Sequence, residues 1–341
     1  MSDRSAQSPA TESMRPVFAY SLDPRAREVF PADLQDRAAR VGRAINSPGC
    51  LPAREKLGEV EVLLGSWHMA RLDAELLGAM PRLHTVLYAA GSVRHFMTDA
   101  AWQRLRVSSA ADANARVVAE FCVAEILFSL KHGWRKSAKA LAASPEFPGA
   151  PDAAPGIDRT SVVGLVSFGR IARHTSHFLK AFSPRVVAYD PGVPPAEMAT
   201  AGVEPVSLEE LFSRSDVVSV HVPLLDSTRG LIGPALLARL RPGATLINTA
   251  RGGVIDEGSL IRFLHQRPDV TAVLDVTEPE PPAANSPLRF LPNVVLTPHI
   301  AGCVGRECRR LGEAMVEELE AIAAGRPLRH LLTRAEADAQ T

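Results

Sequence analysis

The chain has little cysteine, few aromatic side chains, no excess of either charge and no long apolar run. Its four cysteines, Cys50, Cys122, Cys303 and Cys308, are scattered over 341 residues and match no zinc or redox spacing. Reduced thiols in a cytoplasmic compartment are therefore expected, and no metal site. Lys plus Arg and Asp plus Glu stand at 38 each, a formal charge of +0. That balance leaves no electrostatic footprint for nucleic acid or for an anionic membrane. No stretch reaches the roughly 20 apolar residues of a membrane span. The best candidate, Val117 to Leu130, is interrupted by Glu120 and Glu125. Residues 1–15 are polar, lack the apolar centre of a secretory signal and read as a disordered tail.

What the chain does have is alternation of strand and helix, over a length sufficient for two domains. In the first hundred residues, strands are predicted at Val17–Tyr20, Val60–Gly65 and His84–Tyr88, with helices over about Pro24–Ala44 and Leu72–Met80. A long helix at Val117–His132 and a Pro/Ala-rich connection from Pro145 to Pro155 follow. The alternation then resumes with about six strands, at 161–166, 185–189, 216–221, 244–249, 271–276 and 293–297. Ser207, Pro234 and Asp256 open helices between them, and an amphipathic helix runs from about Glu307 to Gly325. This pattern predicts the α/β class with doubly wound parallel sheets, in which ligands sit beyond the carboxyl ends of the strands.

The stretch from Thr160 to Asp190 organises the rest. The β-branched run Ser161–Val166 leads into Ser167-Phe168-Gly169-Arg170-Ile171-Ala172, then a helix-period pattern through Ile171, Phe178, Leu179 and Phe182, then Arg185–Tyr189 ending on Asp190. Strand, tight turn, helix, strand and a terminal acid form the layout of a dinucleotide-binding unit. A turn with little side chain admits a pyrophosphate, the helix start offers free N–H groups, and the acid accepts from ribose hydroxyls. The glycine fingerprint is incomplete: its three places read Ser167, Gly169 and Ala172. Ala satisfies the close-packing demand of the third place, whereas Ser at the first is costly if the turn needs a positive φ.

Further along, Arg251 follows the strand 244–249, at the edge where ligands bind, and a guanidinium there can clamp a carboxylate with two parallel hydrogen bonds. Glu280 lies in the proline-stiffened run Thr277-Glu278-Pro279-Glu280-Pro281-Pro282, and His299 follows Thr297-Pro298 after the last strand. Each has a plainer reading alone: a structural ion pair for Arg251, a solvated acid for Glu280, a structural imidazole for His299. Reaching one crevice together, they make a carboxylate site beside a carboxylate-oriented imidazole that can donate a proton. The small-residue loop Ala89 to Val93, with Ala90, Gly91 and Ser92 at its centre, could hold a carboxylate on bare N–H groups or be an ordinary turn.

These motifs taken in order (Val163-Gly164-Leu165-Val166-Ser167-Phe168-Gly169-Arg170-Ile171, His221-Val222-Pro223-Leu224, Asn248-Thr249-Ala250-Arg251-Gly252, Leu274-Asp275-Val276 with Glu280-Pro281, and Thr297-Pro298-His299-Ile300-Ala301-Gly302) resemble the D-isomer-specific 2-hydroxyacid dehydrogenase family from about Ala89 to Gly325. The resemblance implies a Rossmann NAD domain, 115–299, inserted into a flavodoxin-like substrate domain made of 16–114 and 300–333. It implies NAD as cofactor, lined by Gly169, Arg170, Ile171, Asp190, Val222, Thr249, Ala250, Arg251, Asp275 and His299, with Asp275 near the nicotinamide amide. It implies Arg251 as carboxylate clamp, Glu280 as partner of the histidine and His299 as acid/base. Ala90, Gly91, Ser92 and Arg251 would bind a small 2-oxo or 2-hydroxy acid, in a homodimer joined through the NAD domains. Asp190 followed by Pro191 favours NAD over NADP, because a 2′-phosphate would meet a carboxylate. Glu280 argues against the formate-oxidising branch. The substrate loop lacks the acid found in many members, and Arg94 in it either adds a cation or points to solvent. Two other readings stay open: an NAD(H)-sensing co-repressor-like protein, and an oxidase of an inorganic acid such as phosphite.

Overall fold

The computed structural model describes residues 15–142 and 154–339; the tail expected over 1–15, except its last residue, and most of the 145–155 connection lie outside them. The described residues divide into two compact units: those up to Asn114 with those from Val304 onward, and Ala115–Cys303.

The first unit is built on five parallel strands: β1 Val17–Tyr20, β2 Arg43–Ala44, β3 Val62–Gly65, β4 Thr85–Tyr88 and β5 Arg106–Ser109, in the order β2-β1-β3-β4-β5. Strands β3 and β4 are buried along their whole length, as expected of a parallel sheet covered on both faces. The helix predicted over Pro24–Ala44 is instead two helices, Ala26–Val29 and Ala32–Val41, followed by β2. Proline explains the break: Pro31 has no N–H to continue the ladder and bars Phe30 from helical backbone, which takes φ −119 and ψ 72. Strand β5 and the helix Asp99–Arg104, capped by the Thr98 hydroxyl, were not predicted. The helix Cys308–Ala323 returns to this unit and buries Leu311, Met315, Val316 and Leu319 completely. Burial of each is worth about 1.5–3 kcal/mol. Gly312 makes the approach possible, since a Cβ there would lie 1.9 Å from the Val29 carbonyl oxygen.

The second unit has seven parallel strands: β6 Val162–Val166, β7 Arg185–Tyr189, β8 Glu204–Pro205, β9 Val217–Val220, β10 Thr245–Asn248, β11 Thr271–Leu274 and β12 Val294–Leu296. Their order is β12-β11-β10-β9-β6-β7-β8. The extra strand relative to the six expected is β8, two residues long and too short to leave a periodic signal; the helix Pro195–Thr200 before it was also missed. The helix opened by Pro234 closes at Leu237 rather than near Leu240. The helix at Leu208–Arg214 carries a full capping box between Ser207 and Glu210. No helix among the described residues is long and apolar enough to cross a membrane, and all four cysteines are free thiols.

Candidate active site

In the second sheet the order reverses between β6 and β9, so the carboxyl ends of these strands form the crevice where open α/β sheets take ligands. Three groups of residues gather along this edge.

The first group follows β6. Ser167 has φ +80, so the place where the fingerprint carries glycine does require left-handed backbone. Such strain costs on the order of 1–3 kcal/mol and needs a local hold. Asp190 supplies it. Its Oδ2 accepts from the Ser167 hydroxyl at 3.0 Å and the Phe168 N–H at 2.8 Å, and its Oδ1 accepts from the Gly192 N–H at 2.8 Å. Gly169 opens the helix Arg170–Leu179 with no side-chain cap, which leaves first-turn N–H groups of Arg170 and Ile171 for a ligand. A Cβ on Gly169 would meet nothing closer than the Ser167 hydroxyl at 3.9 Å, so the space before the turn is open. An uncapped helix start, open space and a fixed carboxylate at the next strand tip fit a dinucleotide.

Removing the Ser167 hydroxyl tests how that hold trades against binding. Ser167→Gly relieves the backbone strain and forfeits a hydrogen bond of about 1 kcal/mol, terms that nearly cancel in stability. It also leaves Asp190 Oδ2 with one acceptor site more for a ribose hydroxyl. Ser167→Gly is expected to bind NADH several-fold more tightly with little change in melting temperature, as read by fluorescence titration and thermal denaturation. Weaker NADH binding would show that the hydroxyl itself serves the cofactor.

The second group follows β9 and β10. Val222 is partly buried against the core, and Thr249 and Ala250 are buried. The turn after β10 is pinned by Asn248, whose side chain accepts from the Ala250 N–H at 3.0 Å and donates to the Arg251 carbonyl at 3.0 Å. Thr249 Oγ1 lies 3.3 Å from Cys122 Sγ, a thiol that burial pushes up to about 12 and so keeps neutral. Gly252 lies against the backbone after β11, where a Cβ would be 2.1 Å from the Thr277 carbonyl carbon. Gly253 lies against Glu278, which pairs with Arg229 at 2.8 Å. The two loops are thereby locked together. Arg251 Nη1 donates to the Ala250 carbonyl at 2.6 Å, while burial draws the guanidinium below its ordinary value and the charge of Glu280 opposes that. His221, beside Val222, is pushed down to about 4 by burial, and neither ring nitrogen has a hydrogen-bond partner among the described residues.

The third group follows β11 and β12. His299 Nδ1 stands 2.6 Å from Glu280 Oε1, with the two side chains 48% and 41% exposed. That contact directs Nε2 outward. His299 itself has φ +53, and its N–H donates to the Asp275 and Thr297 carbonyls, each at 3.0 Å. Asp275, expected at the nicotinamide, is 2% exposed. Its Oδ1 accepts from Thr297 Oγ1 at 2.6 Å and the Ile300 N–H at 2.8 Å, and its Oδ2 from the Ala301 N–H at 2.9 Å. Sequence reasoning missed this clasp, which shapes the turn carrying His299; it included Asn248 in a motif but not its hold on the turn, although an Asn bonding two residues ahead is a recognisable turn signal.

Arg251, Glu280 and His299 are thus brought together on one edge of one unit. Ala90, Gly91 and Ser92 lie at the carboxyl end of β4 in the other unit. There the Ser109 hydroxyl donates to the Ala90 and Gly91 carbonyls at 2.8 and 2.7 Å, and no acceptor among the described residues takes the Gly91 N–H. Arg94 is exposed.

The chain is similar to known proteins over most of its length. Residues 151–301 match the model of the D-isomer specific 2-hydroxyacid dehydrogenase, NAD binding domain. The chain is 35% identical over 252 residues to an (S)-sulfolactate dehydrogenase of Chromohalobacter salexigens, covering 73% of this chain and 80% of that one. It is 34% identical over 266 residues to a D-3-phosphoglycerate dehydrogenase of Mycobacterium tuberculosis, covering 74% of this chain but 48% of the relative, so it spans about half the length of that protein. Among solved structures, the apo form of Rhodotorula graminis D-mandelate dehydrogenase superposes with a TM-score of 0.78 at 25% identity, over 94% of this chain and 98% of that one.

Proposed function

The chain belongs to the D-isomer specific 2-hydroxyacid dehydrogenase family, and on that premise we propose that it is an NAD-dependent oxidoreductase interconverting a 2-oxo acid and a D-2-hydroxy acid. The observation that carries the reading is the His299–Glu280 contact of 2.6 Å on the same strand edge as Arg251. Bound NAD supplies the site with a hydride acceptor, and in its reduced form with a hydride donor. Gly169, Arg170 and Ile171 would hold its pyrophosphate, Asp190 its adenosine ribose, and Val222, Thr249 and Ala250 the remainder.

The chain's own residues do the rest. Arg251 fixes the substrate carboxylate through two donors, which orients the neighbouring carbonyl. Negative charge that develops on the carbonyl oxygen during reduction is met by a proton from His299 Nε2; in oxidation the same nitrogen takes the hydroxyl proton. Glu280 orients the ring through Nδ1 and offsets the positive charge that the ring carries as a donor. The N–H groups around Gly91 are assigned to the substrate as well. Asp190 disfavours a 2′-phosphate, which supports NAD over NADP. Pairing of two copies through the second unit is supported by Phe128, an aromatic side chain left 43% exposed on the helix Ala111–Leu130.

The test is NADH consumption by the purified protein against glyoxylate, hydroxypyruvate, pyruvate, phenylpyruvate and 2-oxoglutarate. Turnover of at least one, with a product of D configuration, is expected. Binding of NADH without turnover of any acid would overturn the reading and bring forward NAD reduction by phosphite, or a sensing role.

A further inference from the structure

The first unit holds a groove beside the amino end of its edge strand, β5, which no step of the reaction above uses. Residues after the helix Cys308–Ala323 return to cover that edge. Leu331 bridges Ser108 in the antiparallel sense. The Leu332 N–H donates to the Val107 carbonyl at 2.9 Å, and the Ser109 N–H to the His330 carbonyl at 3.1 Å. Residues of this added segment and of the helix Asp99–Arg104 share the walls of a groove of about 470 Å³. Trp102, Leu105, Leu331 and Leu332 line it, with Arg106 and Arg334 exposed at its rim. We propose that this groove binds an alkyl carboxylate, its chain against Trp102 and Leu331 and its anionic head on Arg106.

Size and lining come first. Small-molecule sites run from roughly 300 to 1,000 Å³, with apolar walls and a few placed polar groups. Leu105 and Leu332 form a buried floor, while Trp102 packs only in part against the core. Leu331 stands 44% exposed above them. An alkyl chain laid between the indole and Leu331 removes apolar surface from water on both, which is favourable in proportion to the area covered.

The choice of head group follows from the charges. Arg334 is already taken: it donates to Asp99 at 2.6 Å and lies 3.8 Å from Asp338. Glu336 is committed to Thr333, whose N–H and hydroxyl it accepts at 2.8 Å each. Arg106 is different. Its guanidinium donates to the Thr85 hydroxyl at 3.2 Å and has no carboxylate partner among the described residues. The Trp102 indole N–H likewise has no acceptor among them, although such a group usually finds one when it is covered. The groove thus offers apolar walls, one uncompensated cation and one spare N–H donor. A single carboxylate on an apolar body meets all three, and its hydrogen bond to the guanidinium is of the strong, charge-assisted kind.

The test follows the indole N–H resonances of the full chain labelled with nitrogen-15 on tryptophan, as octanoate or octanol is added. The chain has three tryptophans, and Trp102→Phe identifies the resonance of Trp102. Octanoate is expected to move that resonance saturably and to leave those of Trp67 and Trp134 in place. Octanol, equal in chain but uncharged, is expected to bind roughly tenfold more weakly or worse, as is octanoate to Arg106→Gln. Leu331→Asp sets a carboxylate on the exposed wall, where the fold does not depend on it, and is expected to abolish the shift. A Trp102 resonance that octanoate does not move overturns the proposal. So does equal binding of octanol, or a shift that persists in Leu331→Asp.

Discussion

Replacing His299 by Asn is expected to lower kcat at least a hundredfold while NADH affinity stays within about twofold. Asn is the informative substitute because it tolerates the left-handed backbone, φ +53, that His299 adopts, so the turn clasped by Asp275 is retained. It removes the imidazole to which the proton transfer is assigned, and general acid–base assistance is typically worth 10²–10⁴-fold. Steady-state turnover of the best 2-oxo acid, alongside NADH fluorescence titration, separates loss of chemistry from loss of cofactor. If kcat survives, the proton comes from elsewhere and the role given to His299 falls. Glu280→Gln is the companion measurement: it keeps a hydrogen-bond acceptor 2.6 Å from Nδ1 but removes the charge, and a smaller loss than in His299→Asn is expected.

Replacing Arg251 by Lys is expected to reduce kcat/KM by roughly a hundredfold or more, with KM raised and kcat lowered together. Lysine keeps the charge but not the planar fork that holds a carboxylate at two points. Hydrogen bonds to charged groups are worth about 1.5–3 kcal/mol each, so losing one of the two and the orientation it enforces accounts for a loss of that order. The fold should be indifferent. The turn is held by Asn248 and by the approach of Gly252 to Thr277, and among the described residues the Arg251 side chain donates only to the carbonyl of its own neighbour, Ala250. Rescue of Arg251→Ala by added guanidinium would separate a missing donor from a displaced loop. A variant whose KM for the 2-oxo acid matches wild type would remove Arg251 from the carboxylate site.

Much of this protein was legible in the chain because parallel sheets write themselves as contiguous apolar runs. Val162–Val166 and Thr271–Leu274 are buried end to end, and such strands need no partner to be recognised. The loops after them announce themselves by chemistry: Ser167-Phe168-Gly169, Asn248 to Gly253, Thr297-Pro298-His299. Short elements were not legible. Strand β8 and strand β2 have two residues each, and β2 lay at the end of a stretch, Pro24–Ala44, whose pattern suits a helix. They exist because a neighbouring strand offers unpaired backbone groups, and nothing in their own residues demands extension.

The sequence by itself determined the fold class, the order of the strands along the chain and the residue types able to do proton and carboxylate chemistry, because each depends on local pattern or on one side chain. Only the tertiary structure decided which of those side chains meet. Glu280 and His299 are 19 residues apart in the chain and 2.6 Å apart in space, and the buried Asp275 carboxylate builds the turn between β12 and His299. The same holds for Asp23 and His68, which share no motif yet bring Oδ1 and Nδ1 to 3.6 Å of each other. Their proximity follows from β1 and β3 lying side by side in the sheet, a pairing made by hydrogen bonds between strands more than forty residues apart in the chain.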